Sequence, residues 1–384
     1  MKLPQGVIAL GLVSLFMDLS SEMIHSLLPV FLVTVLGASA MSVGVIEGIA
    51  EATAAMAKVF SGAVSDWFGR RKPLVLLGYG MAALTKPLFP LANSIGAILM
   101  ARFLDRIGKG IRGAPRDALI ADITPEAQRG AAYGLRQSMD TVGAFAGPLV
   151  AMALMAASGD NFRLVFWVAV VPAVLCVLII AFGVDEPDAT RPAVQPRFPI
   201  TRDSLARLPS RYWWVVGFAA VLTLARFSEA FLLLRAENVG LAATWVPLIL
   251  IIMNGVYAAS AYPFGRLSDS GSRRALLVWG VLLLIAADIT LALAAQVWTV
   301  GLGPAIWGLH MGATQGLLST LVAEAAPADL RGTAFGVFNL VSSAALLAAS
   351  VIAGSLWTLV GPAMTFSAGA AFSAIALLGL IWRR

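Results

Sequence analysis

Charged residues, cysteine and histidine are all scarce in this sequence. Only 12% of the 384 residues are Asp, Glu, Lys or Arg, about half the share found in soluble domains. That leaves too few charges to cover the surface of a soluble globule. The single cysteine, Cys176, excludes an intrachain disulfide framework. Two histidines and one cysteine offer no Cys/His cluster for a metal centre.

Hydrophobic residues dominate instead and indicate a protein that crosses a membrane many times. They make up 59% of the chain, and the mean hydropathy of +0.86 excludes an intrinsically disordered polypeptide. The net charge of +6 is better explained by basic loops at a membrane surface than by nucleic acid. We therefore expect lipid as a partner and no nucleic acid.

Twelve apolar stretches are long enough to form membrane-spanning helices, which need about 20 residues each. The first runs to about Leu36 without an early small-residue cleavage site, so we expect a retained helix rather than a signal peptide. The sequence thus predicts an all-α polytopic protein with spans at residues 6–36, 41–64, 73–91, 95–120, 130–157, 163–183, 211–235, 244–264, 274–295, 298–322, 332–357 and 362–382.

One segment rich in proline and charge, residues 184–210, interrupts the apolar pattern near the middle of the chain. It predicts a linker between two six-helix bundles, residues 1–183 and 211–384. Basic residues gather in this linker and after the even-numbered spans, which places the linker and both termini in the cytoplasm of a protein of the cell (inner or plasma) membrane. The basic residues after the even-numbered spans are Arg70, Arg71, Lys72, Arg129, Arg266, Arg273, Arg274 and Arg331.

The two halves are copies of one another. The segment GAVSDWFGRR at Gly62 recurs as GRLSDSGSRR at Gly265, and ADITPEAQRGAAYG at Ala121 recurs as AEAAPADLRGTAFG at Ala323. The two offsets are nearly equal, so one six-helix unit has been duplicated. Parallel repeats of this kind are typical of secondary transporters.

The duplicated loop is similar to the signature between helices 2 and 3 of the major facilitator superfamily. This resemblance spans the whole chain and implies two six-helix bundles with pseudo-two-fold symmetry, alternating access and a working monomer. It also implies a conformational gate in which the arginine pair bridges to an acid, for which we expect Asp117 or Asp122. The gate residues are Gly62, Asp66, Gly69, Arg70, Arg71, Asp122, Asp269 and Arg273.

Two further elements resemble the proton-coupled drug-efflux branch of that superfamily. Arg102 precedes Asp122 by 20 residues, as does the intramembrane arginine of many exporters in this branch, although Asp105 and Arg106 stand where the family has Gln-Gly. In helix 5, a glycine-rich element is similar to the one associated with antiporters, although the closing glycine pair of that element is missing. It consists of Gly143, Gly147 and Pro148, and small residues there predict close helix packing.

Intramembrane acids are the candidates for proton coupling. Asp18, Glu22 and His25 recur at helical spacing on one face of the first helix, and Glu229 occupies a corresponding place in helix 7. Burial in a bilayer favours the neutral form of a carboxyl group, so such acids exchange protons readily near neutral pH. We expect the proton-coupling residues to be Asp18, Glu22, Asp105, Arg102 and Glu229. Arg112 and Arg116, which lie in the same helix as Arg102, are interpreted as structural.

The leading hypothesis is a secondary transporter that exports a small amphiphilic organic molecule in exchange for protons. The alternative is proton-coupled uptake or exchange of an organic anion or siderophore-like chelate, and a third is a sensing or scaffold protein that has lost transport. No Walker-type phosphate loop is present, so the proton gradient is the expected energy source, with no cofactor and no enzyme activity. The predicted substrate-binding residues are Arg106, Lys86, His25, Arg226, Asn254, Tyr257 and Gln315.

Overall fold

A computed structural model describes residues 3–68, 70–125, 128–185, 202–270, 272–327 and 330–382. Within these ranges, the side chains of residues 62, 63, 66–68, 130, 203, 266, 268–270, 316, 319, 331 and 332 are not described. All of the long elements are helices, so the predicted all-α class is confirmed.

The helices before the linker coincide with the first six predicted spans, two of which are broken into pairs. They are α1 (Gln5–His25), α2 (Leu28–Thr34), α3 (Ala40–Phe68), α4 (Lys72–Thr85), α5 (Leu88–Leu91), α6 (Ile95–Ile123), α7 (Arg129–Ser158) and α8 (Phe162–Gly183).

The helices after residue 201 are a short one inside the predicted linker, α9, and seven that coincide with the last six predicted spans, of which one is broken. They are α9 (Arg202–Ala206), α10 (Ser210–Ala225), α11 (Ala230–Asn238), α12 (Leu248–Ser270), α13 (Arg273–Ala292), α14 (Val297–Ala325), α15 (Arg331–Leu359) and α16 (Pro362–Trp382). Among the described residues, nine helical spans are long and apolar enough to cross a membrane. The long helices α3, α6 and α14 are not among those nine, and α6 is the most highly charged of them.

The chain divides into two compact units. Unit 1 comprises Met1–Leu28 and Thr53–Phe198, and unit 2 comprises Pro29–Ala52 and Pro199–Arg384. The predicted bundle boundaries at residues 184 and 210 stay a prediction, because most of the linker lies outside the described residues.

Unit 1 is built around α1, which packs against α7 and α8. Leu10, Val13 and Met17 of α1 are fully buried in a core that also contains Tyr79 and Cys176. The turn from α7 to α8 follows from local chemistry. Gly159 ends α7 with a φ of 66°, which glycine adopts without strain, and the side chain of Asn161 accepts a hydrogen bond from the backbone N–H of Leu164 to start α8.

Helices α4 and α6 of unit 1 meet backbone to backbone. A Cβ atom added at Gly78 would lie 2.7 Å from the carbonyl oxygen of Gly108 and 2.8 Å from the backbone nitrogen of Arg112. A Cβ atom added at Gly108 would lie 2.6 Å from the carbonyl oxygen of Gly78. Only glycine fits this crossing, which holds the charged helix α6 against α4.

Unit 2 also contains a close helix approach at a glycine, together with a side-chain hydrogen bond between two helices. The Tyr212 hydroxyl donates a hydrogen bond of 2.8 Å to the carbonyl oxygen of Ala334 and ties α10 to α15. A Cβ atom added at Gly354 of α15 would lie 2.7 Å from the carbonyl oxygen of Ala40, which begins α3. Helix α13 packs against both α14 and α16.

The α4–α6 crossing predicts a sharp contrast between two glycines of α4. Gly78→Val should lower the stability of the protein by about 1–3 kcal/mol, because the new side chain overlaps the backbone of α6. Gly80→Val is the matched control, since an added Cβ at Gly80 meets nothing within 4 Å. Thermal unfolding of the purified proteins in detergent compares them, and equal midpoints for the two variants would contradict the described crossing.

Candidate functional site

Helix α6 carries a buried row of charges through unit 1. The row is formed by Arg102, Asp105, Arg106 and Arg112, which are 2%, 4%, 5% and 6% exposed. They recur at helical spacing, so they lie on one side of α6. An unpaired charge at this depth is costly, so each needs a partner.

Asp105 is the acid at the centre of this row, and its main partner comes from another helix. Lys86 lies at the interruption between α4 and α5, and its Nζ donates hydrogen bonds of 3.0 Å to Asp105 Oδ1 and to Ser21 Oγ of α1. Arg106 Nε lies 4.0 Å from Asp105 Oδ2. The structure thus joins a residue predicted to bind substrate, Lys86, to one predicted to carry a proton, Asp105. This ion pair stabilises the carboxylate form of Asp105.

Two arginines in the C-terminal half of α6, Arg112 and Arg116, contact Tyr79 of α4. The guanidinium carbon of Arg112 lies 4.4 Å from the centre of the Tyr79 ring, a cation–π arrangement. Arg116 donates hydrogen bonds to the Tyr79 hydroxyl and to Ser14 Oγ, both at 3.2 Å, and pairs with Asp117 at 3.1 Å. These contacts agree with the structural interpretation of Arg116.

The acids of α1 lie directly against the glycine-rich element of α7. A Cβ atom added at Gly147 would lie 2.6 Å from Cβ of Glu22, and one added at Gly143 would lie 3.2 Å from Cβ of Asp18. The two helices therefore approach so closely at these glycines that the carboxyl groups of α1 are held beside α7. Farther along α1, Glu22 Oε2 lies 3.4 Å from Nδ1 of His25.

A second carboxyl group, that of Asp140 of α7, is a close neighbour of the Asp18 side chain. Asp140 accepts a hydrogen bond of 2.6 Å from Arg136 Nη2, one helical turn earlier. Arg112 and Lys109 are the nearby cations that act on Asp18. Sequence analysis missed this pairing, although Asp140 precedes Gly143 by three residues and so shares its face of α7.

Two of the predicted residues of unit 2 lie in the interruption between α10 and α11. Arg226 and Glu229 flank this break, and the guanidinium of Arg226 lies within electrostatic range of both Glu229 and Tyr257. Asn254 and Gln315 are half-buried on α12 and α14. Helix breaks inside a membrane are common where transporters bind substrates and ions.

The structure describes some of the residues of the predicted conformational gate. Arg71 Nε lies 2.6 Å from Asp122 Oδ2, whereas Asp117 pairs with Arg116. Arg70 is exposed. In unit 2, Arg273 pairs with Glu324 at 2.5 Å. Gly69 and the side chains of Gly62, Asp66 and Asp269 lie outside the described residues.

The two described gate pairs are equivalent in the internal repeat. Glu324 corresponds to Asp122, and Arg273 stands one place before the counterpart of Arg71. Each half therefore joins the loop after its second span to the end of its fourth span by an arginine–carboxylate pair. No group of three or more His, Cys, Asp or Glu side chains that could hold a metal ion is found among the residues the structure describes.

The charge row predicts that Asp105 matters more for stability than its partner. Asp105→Asn leaves Lys86 beside Arg106 without a compensating acid, so it should lower the free energy of unfolding by about 3–5 kcal/mol. Lys86→Met should cost less, because Arg106 still faces the carboxylate, and the double variant should recover part of the loss. Chemical unfolding followed by tryptophan fluorescence measures all three, and an Asp105→Asn protein as stable as the parent would contradict this ordering.

Comparison with solved structures and with known proteins then places the chain in a family. A nucleoside transporter, NupG, superposes with a TM-score of 0.83 over 98% of this chain and 99% of that one. Because the sequences are only 12% identical, this likeness shows the fold alone.

The relatives in sequence include proteins named as an MFS-type transporter and as a multidrug resistance protein. An uncharacterised MFS-type transporter from Methanocaldococcus jannaschii is 31% identical over 99% of this chain and 95% of its own length. The multidrug resistance protein MdtH from Proteus mirabilis is 30% identical, but over only 38% of this chain and 35% of its own length.

The family itself is shown by a match to the family model of the Major Facilitator Superfamily, which covers residues 10–349 and again residues 227–384. The match takes in both halves of the internal repeat. Together with the apolar helices, it makes this chain a multi-pass membrane protein, and the chain belongs to the major facilitator superfamily of transporters.

Proposed function

We propose that this transporter exports a small amphiphilic organic molecule in exchange for protons, by alternating access. Two observations support export. The Gly143–Pro148 element is similar to the one associated with antiporters, and part of the chain is similar to the multidrug resistance protein MdtH. Proton coupling rests on a separate observation in unit 1.

The observation that carries proton coupling is the Asp18–Asp140 pair. Two neighbouring carboxylates repel one another, which favours the uptake of a proton by Asp18. Loss of that proton leaves a site with two negative charges, beside which a cationic or polarisable substrate is favoured. Addition of the proton removes one charge and weakens the same interaction. Substrate and proton thus oppose one another's binding, which is the reciprocal coupling that antiport requires.

Asp105 is less suited to this role than the sequence alone indicates. Its carboxylate is fixed by Lys86 and lies beside Arg106, so release and uptake of a proton there would break a buried ion pair. We therefore assign the exchangeable proton to Asp18, with Asp140 as the neighbouring carboxylate, and we assign Lys86 and Asp105 to the framework that holds α1, α4 and α6 together. Glu22 with His25 is a second acid–base pair on the same face of α1.

The alternative function is proton-coupled uptake or exchange of an organic anion. Its support is the excess of buried cations around one acid, since Lys86, Arg102 and Arg106 all lie in the same part of unit 1 as Asp105. A carboxylate substrate that displaced Asp105 from these groups would gain bidentate hydrogen bonds from a guanidinium. Substrate charge therefore separates the two functions.

The proposal includes the setting in which transport occurs. We place the protein in the cell membrane as a monomer with both termini in the cytoplasm, on the basis of the basic loops after the even-numbered spans. In that orientation the Arg71–Asp122 and Arg273–Glu324 pairs lie at the cytoplasmic ends of their helices. The proton gradient drives the cycle without a cofactor.

The test is a proton-flux assay in proteoliposomes with an internal pH dye. Tetraphenylphosphonium serves as the cationic probe and benzoate as the anionic probe, each applied to one side. Export by antiport predicts that the cation drives protons in the opposite direction. Proton movement in the same direction as benzoate, with no response to the cation, would establish the alternative instead.

Variants of the carboxyl pair test the assignment of the proton. Asp18→Asn and Asp140→Asn should each reduce coupled proton flux to that of empty liposomes, because neither leaves a pair that can exchange a proton. Asp160→Asn is the matched control, since Asp160 is an exposed carboxyl in the turn after α7. Coupled flux that survives in both pair variants, at protein levels equal to the control, would refute the assignment.

A further inference from the structure

One acid of unit 2 has no role in the site described so far. Asp288 lies in the last quarter of α13, and none of its surface is exposed. Neither of its carboxyl oxygens has a hydrogen-bond partner among the residues that the structure describes. Buried carboxyl groups are nearly always hydrogen-bonded, so this one needs an explanation.

The surroundings of Asp288 are apolar. A Cβ atom added at Gly369 of α16 would lie 2.7 Å from Asp288 Oδ2 and 3.1 Å from Cε1 of Phe227. Phe227 lies in the interruption between α10 and α11 and packs against Trp307 and Phe366, with ring centres 5.7 and 5.4 Å apart. The carboxyl group thus lies against α16 at Gly369, close to the Phe227 ring.

Charged groups on the neighbouring elements are engaged elsewhere. Arg235 of α11 donates hydrogen bonds to the carbonyl oxygens of Leu291, Ala292 and Ala294 at the end of α13. His310 of α14 lies 2.7 Å from the carbonyl oxygen of Gly280, two turns before Asp288. Arg226 acts on Glu229 and Tyr257. Of the other titratable groups, Tyr262, Arg266 and Asp269 belong to α12, Arg273 and Arg274 to the start of α13 and Glu324 to α14, and the described part of α16 contains none.

An ionised carboxylate in such a place is strongly disfavoured, because it has lost its water and gained no cation or donor in exchange. Adding a proton removes the charge and most of that cost. We propose that Asp288 is a proton-binding site of unit 2, separate from the Asp18–Asp140 pair, and that it is loaded in the conformation described. Its place beside the α10–α11 interruption, where the helix backbone is discontinuous, gives the proton a route to water when that segment rearranges.

Infrared difference spectroscopy of the protein in proteoliposomes tests the inference without any substrate. A protonated carboxyl group has a C=O stretching band that an ionised carboxylate lacks. At neutral pH we expect such a band in the parent protein, and Asp288→Asn should remove one component of it. Asp18→Asn should remove a different component, and the exposed control Asp160→Asn should remove none. A carboxyl region that Asp288→Asn leaves unchanged would overturn the proposal.

Transfer to heavy water distinguishes an exchanging site from an acid that is merely sealed in. The Asp288 component should shift as its proton is replaced by deuterium within minutes, because the site opens to water during conformational change. A component that does not shift would also overturn the proposal.

If Asp288→Asn does not fold, Asp288→Glu is compared with the parent in protein labelled with ¹³C-aspartate. The C=O band of residue 288 should then move from the ¹³C frequency of aspartate to the unlabelled frequency of glutamate, and a band that does not move would overturn the proposal. These outcomes are independent of transport. The proposed function can therefore fail, with no proton flux in the parent protein, while the Asp288 site stands.

Discussion

The cost of placing a charge inside a bilayer without a partner constrains most of this structure. It explains why the basic residues of α6 are gathered around Asp105, why Lys86 reaches from the α4–α5 interruption to that acid, and why Arg116 is bonded to three side chains from different helices. Helix packing in turn depends on these contacts, because each joins two helices whose apolar surfaces gain little from association in lipid. Charge pairing and close glycine crossings together replace the hydrophobic effect that assembles soluble helix bundles.

Much of the fold was predictable because its signals are local. Each signal consists of residues that are adjacent in sequence: spans of about 20 apolar residues, basic loops and a repeated loop motif. The helices of the structure match the predicted spans. The interruptions at residues 26–27, 86–87 and 226–229 were not predicted, because apolar residues resume directly after each of them. The bundle boundaries could not be tested in the linker, most of which lies outside the described residues.

The sequence identifies candidate residues for the site but does not show which of them contact one another. Asp18, Glu22, Lys86 and Asp105 stand out in the sequence because charge is rare in an apolar helix. Which of them meet depends on the rotation and crossing of helices, and helical spacing within one element does not determine these. The sequence shows neither that Lys86 lies beside Asp105 nor that Asp140 of α7 is a neighbour of Asp18 of α1.

The burial of Cys176 in the unit 1 core makes this protein well suited to labelling at introduced cysteines. Cys176 is fully buried in α8, and a buried thiol is poorly reactive toward polar reagents. Because Cys176 is the single cysteine of the chain, the parent protein should react very little with water-soluble maleimides. A cysteine introduced at an exposed position then becomes the one reactive thiol. Fluorophores or spin labels can thus report distances within each unit without first removing a native side chain.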